Sequence, residues 1–116
     1  MDNDRKKELR EQYRNRRPDM GIVCWQCGET RWAAPTTDAN ADHNSALFQL
    51  RLGSFPNREM QKLFTAQPEA FTFSLIRTLK YDDAAEDHAD DLRLLMMDLM
   101  DEYPDVKPLK PGQKLP

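Results

Sequence analysis

Two cysteines three positions apart, Cys24 and Cys27, two histidines, His43 and His88, and a run of carboxylates, Glu86, Asp87, Asp90 and Asp91, are the side chains of this chain whose types and spacing could support chemistry. The Cys24-Trp25-Gln26-Cys27-Gly28 segment has the spacing of half a zinc site. A structural zinc ion takes four ligands, commonly from two such pairs, and here only His43 and His88 could complete the set. A dithiol redox site needs its first cysteine at a helix N-terminus, where the thiolate is stabilised, whereas this pair falls on a strand and turn. Ordinary strand and turn residues are therefore the favoured reading of the pair, and zinc at Cys24/Cys27 is kept only as a site shared between two copies of the chain.

The carboxylates offer a second chemistry. Glu86 and Asp90 stand four apart, as do Asp87 and Asp91, so each pair shares one face if the segment is helical. Such a pair could hold Mg²⁺ or Mn²⁺. The competing reading is that acids favour a helix N-terminus and solvate its outer face. Met96 and Met100 are explained by core spacing, while Met97 falls off that stripe and could face a partner. His43 and His88 read as polar boundary residues before catalytic ones.

Charge is unevenly placed around a net of -3. Residues 1–17 hold seven bases (Arg5, Lys6, Lys7, Arg10, Arg14, Arg16 and Arg17) against four acids, whereas residues 82–105 hold ten acids against Arg93 alone. Arg14, Arg16 and Arg17 are the candidate contacts to a nucleic-acid backbone. The interspersed Glu8 and Glu11 fit a solvated helix with internal ion pairs equally well. A dedicated nucleic-acid enzyme usually carries a basic balance, and the acidic second half works against one. No apolar run approaches the ~18 residues of a membrane span, and the mean hydropathy is -0.85. The charged first residues, with no apolar stretch behind them, give the expectation of no signal peptide, no membrane partner and a cytoplasmic chain.

The elements that must position these groups follow from periodicity. At 116 residues with 39% hydrophobic content, one core is expected. Asp4 to about Arg16 is rich in helix formers, and Pro18 ends that helix. Met20 to Trp25 and Thr30 to Ala34 read as strands joined through Cys27-Gly28-Glu29. Thr37 or Asp38 caps a helix over 39–52 that Gly53 stops, with His43, Ala46, Leu47 and Leu50 on one face. Pro56-Asn57 opens another, with Met60, Leu63 and Phe64 inward, ending before Pro68. Residues 70–79 alternate as a strand with Phe71, Phe73 and Leu75 on one face. Asp82 or Asp83 caps a last helix running to about Tyr103, its stripe formed by Ala85, Ala89, Leu92, Leu95, Met96, Leu99, Met100 and Tyr103. Residues 1–103 then form one domain, and 104–116, rich in proline and lysine, form a flexible tail. The expected fold class is α/β: a small three-stranded antiparallel or mixed sheet flanked by helices, in the order α-β-β-α-α-β-α.

That order, with several local sequences, resembles the GIY-YIG nuclease superfamily, and most closely its small bacterial stand-alone members. The resemblance begins at Lys7-Glu8-Leu9-Arg10 and runs through Asn15-Arg16-Arg17-Pro18-Asp19-Met20-Gly21. Gly21-Ile22-Val23 stands in the place of the Gly-Ile-Tyr signature. Phe48 to Phe64, with Leu50, Gly53, Pro56-Asn57 and Leu63, resembles the two central helices and their junction, and Glu69-Ala70-Phe71-Thr72-Phe73-Ser74 the third strand.

The resemblance implies a domain that cuts phosphodiesters with a tyrosine pair, an arginine and a glutamate that holds one divalent metal. Carried over by position, most of that set is replaced. The first tyrosine falls on Val23, which has no hydroxyl. The second signature falls on Trp32-Ala33-Ala34, where Trp32 offers only an indole donor. The arginine falls at or near Asp42, a reversal of charge; the neighbouring His43 could still act as acid or base. The metal glutamate falls early in the last helix, where Glu86, Asp90 or Asp91 could serve. The expectation is a degenerate member acting as a binding or regulatory module toward a nucleic acid, a protein partner or a second copy, with no cofactor. The alternatives are an endonuclease rearranged around Trp32, His43 and a helix carboxylate with Mg²⁺ or Mn²⁺, and a zinc- or thiol-linked interaction module through Cys24/Cys27.

Overall fold

The structure is a computed structural model that describes residues 18–83 and 85–116. The basic helix expected over 4–16 lies outside the described residues, as do the candidate contacts Arg14, Arg16 and Arg17. Strands β1 (Met20–Cys27) and β2 (Thr30–Thr36) form an antiparallel hairpin whose register runs from Gly21 opposite Thr36 to Cys27 opposite Thr30. The two-residue connection turns on Gly28, at φ +61°, a conformation a side chain disfavours and glycine adopts freely. Helix α1 (Ala39–Leu52) and helix α2 (Arg58–Ala66) follow, then a short 3₁₀ turn, strand β3 (Phe71–Leu79) and helix α3 (Ala89–Glu102).

The caps fall where the side-chain chemistry places them. Asp38 accepts a hydrogen bond from the Ala41 amide at 3.1 Å, and Asn57 does the same for Met60 at 3.2 Å, each satisfying a helix-start N–H. Gly53 closes α1 in the left-handed conformation at φ +76°.

β1 is the centre of the sheet, paired antiparallel with β2 on one side and with β3 on the other. Both its faces are covered, which is why seven of its eight residues are buried and why its sequence is an apolar run rather than an alternation. On one face Val23, Trp25, Cys27, Trp32 and Ala34 meet Ala46 and Leu50 of α1 and Met60 of α2, with Phe71, Phe73 and Leu75 packed alongside. On the other, Ile22 and Ala33 meet Met96 and Leu99 of α3, with Ile76 alongside. A bulge between Ile22 and Val23 shifts the β1–β3 register, so Leu75 and Ile76 still fall on their proper faces.

Three expectations are corrected. Among the described residues the sheet has four strands, in the order β3-β1-β2-β4, not three. The added strand β4 (Lys107–Pro108) pairs parallel with β2, and so makes the sheet mixed. It arises from the segment read as a flexible tail. Val106 is 6% exposed and Leu109 4%, one in each of the two cores. Prolines do not prevent this, because an edge strand needs few of its own N–H groups. The Leu109 amide donates to the Ala33 carbonyl at 3.1 Å, and Gln113 Nε2 donates to the same oxygen at 3.0 Å. Asn57 Nδ2 donates to the Leu109 carbonyl at 3.1 Å, tying the segment to the start of α2. The third correction is the start of the last helix, at Ala89 rather than near Asp82. His88 takes over the preceding loop: its Nε2 meets the Asp83 carbonyl at 2.7 Å and its ring lies 5.3 Å from that of Tyr81.

Among the described residues, no helix is long and apolar enough to cross a membrane.

Candidate functional site

A pocket of about 470 Å³ opens beside α1 on the face of the sheet that carries Val23 and Ala34. Its floor follows from the β1–β2 register: Val23 and Ala34 are cross-strand partners, 2% exposed each, with Trp25 next along the same face. One wall is a single stripe of α1, in which Asp42, Ser45, Ala46 and Gln49 recur at helical spacing. Phe55 and Pro56 close it from the α1–α2 junction, Phe73 from β3, and Leu109, Lys110 and Pro111 from the C-terminal segment. Among the described residues the lining is thus mainly apolar, with a few polar groups from one helix and the exposed Lys110, the usual composition of a small-ligand site.

Among the described residues, Asp42 is the one carboxylate of this lining, and it is held in place. Thr36 is 2% exposed, and its Oγ1 donates a hydrogen bond to Asp42 Oδ2 and accepts one from the Asp38 amide at 3.1 Å. The Asp42 amide in turn bonds to the Asp38 carbonyl at 3.0 Å. The end of β2 and the first turn of α1 therefore fix the carboxylate together. Among the described residues, the ion pairs at Arg77, His88 and Lys107 all involve other acids.

The other anticipated residues are dispersed. Trp32 is 1% exposed and stacks on Phe71 with ring centroids 5.9 Å apart, off the pocket. His43 sits beside Asp42 in sequence but turns away from the pocket; its ring stacks on Phe73 at 4.3 Å and tilts against Trp25 at 5.5 Å. It lines a second, more open groove with Leu47, Phe64 and Phe71. Glu86 lies in the loop before α3 and Asp90 in the helix's first turn, so the shared helical face expected of them does not form. Both are exposed, and α3 covers the sheet face opposite the pocket. No three His, Cys, Asp or Glu residues cluster among the described residues.

Cys24 and Cys27 are separated by the strand that holds them. An odd spacing along an extended chain sends their side chains to opposite faces, roughly 10 Å apart along β1. They cannot reach one another for a disulfide or share an ion within one chain. Burial pushes the Cys24 thiol above its ordinary value of 9.0, against a smaller opposing pull from Arg31. At 2% and 8% exposure neither thiol is offered to a second copy.

The sequence reading missed Ser45, Gln49, Phe55, Leu109 and Lys110. For Leu109 a signal was present, an isolated large apolar residue between prolines and lysines, but composition concealed it. Comparison with family models, with curated proteins and with solved structures gives no match.

Proposed function

We propose that this chain is a GIY-YIG-like domain that has given up phosphodiester cleavage and acts as a binding or regulatory module. One observation carries the reading: Val23, Ala34 and Asp42, positions that the resemblance assigns to the cutting site or its signature, line a single pocket. Cutting there would call for a hydroxyl to move a proton and a cation to stabilise charge on the phosphate. The pocket instead offers two small apolar side chains and a fixed carboxylate, which repels a phosphate.

The rearranged-endonuclease alternative draws less support. It needs Trp32, His43 and a carboxylate such as Glu86 or Asp90 around one phosphate, whereas Trp32 is enclosed, His43 is stacked on Phe73, and the two acids belong to the α3 side. The zinc- or thiol-linked alternative meets the burial and opposed directions of Cys24 and Cys27. A nucleic-acid backbone remains a partner class for the module through Arg14, Arg16 and Arg17, alongside a protein or a second copy.

The test is incubation of supercoiled plasmid with the purified chain and Mg²⁺ or Mn²⁺, beside Glu86→Ala and Asp90→Ala variants and a gel-shift measurement. The expected result is no nicking by any of them, whether or not the plasmid is retarded. Metal-dependent nicking that disappears in either variant would restore the enzyme reading and overturn this one.

A further inference from the structure

We propose that the pocket beside α1 is a binding site for a compact apolar ammonium ion, a primary amine carried on a single ring or a short aliphatic body. The volume of about 470 Å³ admits a molecule of that size with room to spare. Val23, Trp25, Ala34, Ala46, Phe55 and Phe73 would enclose its apolar body, and the half-buried Asp42 carboxylate would meet its charge.

The choice of charge rests on how Asp42 is held. It is half-buried, anchored by a hydroxyl that is itself fully enclosed, and has no lysine, arginine or histidine in ion-pair contact among the described residues. A carboxylate in such a place has lost part of its water and meets only the partial positive charge of the α1 N-terminus, whereas an ammonium supplies a full charge and hydrogen-bond donors. Thr36 donates to one oxygen, Oδ2, and the carboxylate has lone pairs to spare for a ligand N–H. The rings of Trp25 and Phe73 also line the pocket, and whatever part of their surface His43 leaves uncovered attracts a cation. Lys110 also lines the rim and would favour an anion, but it is exposed on the C-terminal segment, where its ammonium keeps its water. The fixed, partly desolvated charge decides the preference.

The inference rests on reading the pocket as one that binds, and the two can fail separately. Nicking of plasmid would overturn the binding-module reading; the ligand class is judged on the amine titration alone. That titration uses the unaltered chain with three probes of one size, 2-phenylethylamine, 2-phenylethanol and 3-phenylpropionate. Nuclear magnetic resonance follows the indole N–H of Trp25, with the Trp32 indole, which does not line the pocket, as internal reference. The expected result is a dissociation constant of about 1 mM or lower for the amine, at least about tenfold weaker binding of the alcohol and the acid, and a comparable loss with Asp42→Asn. Equal or tighter binding of the alcohol or the acid would overturn the proposal, as would movement of both indoles together. No binding of the amine by a folded chain would overturn it too. The probe comparison needs no variant, so a folding defect in Asp42→Asn leaves the test intact.

Discussion

Gly21 lies so close to Arg77 on the neighbouring strand that a Cβ built on it would stand 1.8 Å from the Arg77 carbonyl oxygen. The contact occurs beside the bulge at Ile22 and Val23, where β1 is drawn against β3. Gly21→Ala must push the two backbones apart at the centre of the sheet. A loss of about 3 kcal/mol or more is expected, read as the shift in the urea midpoint. Gly28→Ala is the control: it has open space around it but a left-handed φ of +61°, and its expected cost is about 1 kcal/mol. Equal losses at the two positions would show that no close approach exists at Gly21.

Thr36→Val removes a buried hydroxyl that serves two partners, the Asp42 carboxylate and the Asp38 amide. The expected loss is about 1–3 kcal/mol. Asp42→Asn keeps an acceptor for the hydroxyl, and a double-mutant cycle between the two positions should show coupling of about 1 kcal/mol. Additive effects would mean that Thr36 does not hold Asp42.

Removal of residues 105–116 tests whether the C-terminal segment is part of the core. The deletion takes away Val106 and Leu109, both buried, and the bonds of the Ala33 carbonyl. Even the single change Leu109→Ala should cost about 2–4 kcal/mol, seen as a fall in Tm, while the exposed neighbour Lys110→Ala should leave Tm nearly unchanged. A segment that does not pack would make both changes silent.

Burial raises the Cys24 thiol above 9.0, and the sign of the pH effect follows. The folded chain holds the proton more tightly than the unfolded one, so this contribution is whole below the unfolded value and is lost as pH rises through the folded one. Stability should fall with alkaline pH above about 9, and Cys24→Ala should flatten that part of the profile. The same burial predicts that a thiol reagent at pH 8 modifies Cys24 in the native chain at least about 100-fold more slowly than in denaturant. Comparable rates in the two states would show the thiol to be exposed.

Elements with strong local signals were readable from sequence: the hairpin around Gly28, the caps at Asp38, Gly53 and Asn57, and the inward stripe of Phe71, Phe73 and Leu75. Each depends on a glycine's conformational freedom, a short polar side chain at a helix start, or a simple period. The start of α3 was misplaced because Asp82 and Asp83 are good caps in isolation, whereas His88, packed on Tyr81 and bonded to the Asp83 carbonyl, holds the loop out of the helix. Asp42 and Val23 line one pocket, and no local signal in the sequence shows the anchoring of Asp42 by Thr36.

Sequence by itself therefore determined most of the helices and strands among the described residues, β4 and the start of α3 excepted, and that Val23, Trp32 and Asp42 do not supply the tyrosine and arginine chemistry suggested by the resemblance. Tertiary structure alone decided that Cys24 and Cys27 part company across the sheet, that Leu109 returns to line a pocket with Val23, and that His43 turns to Phe73 while Asp42 faces the cavity. The physical reason is range. Caps, turns and periodicity act within a few residues of the chain, whereas the fourth strand and the pocket depend on contacts between segments far apart in sequence, such as the 3.1 Å bond from the Leu109 amide to Ala33.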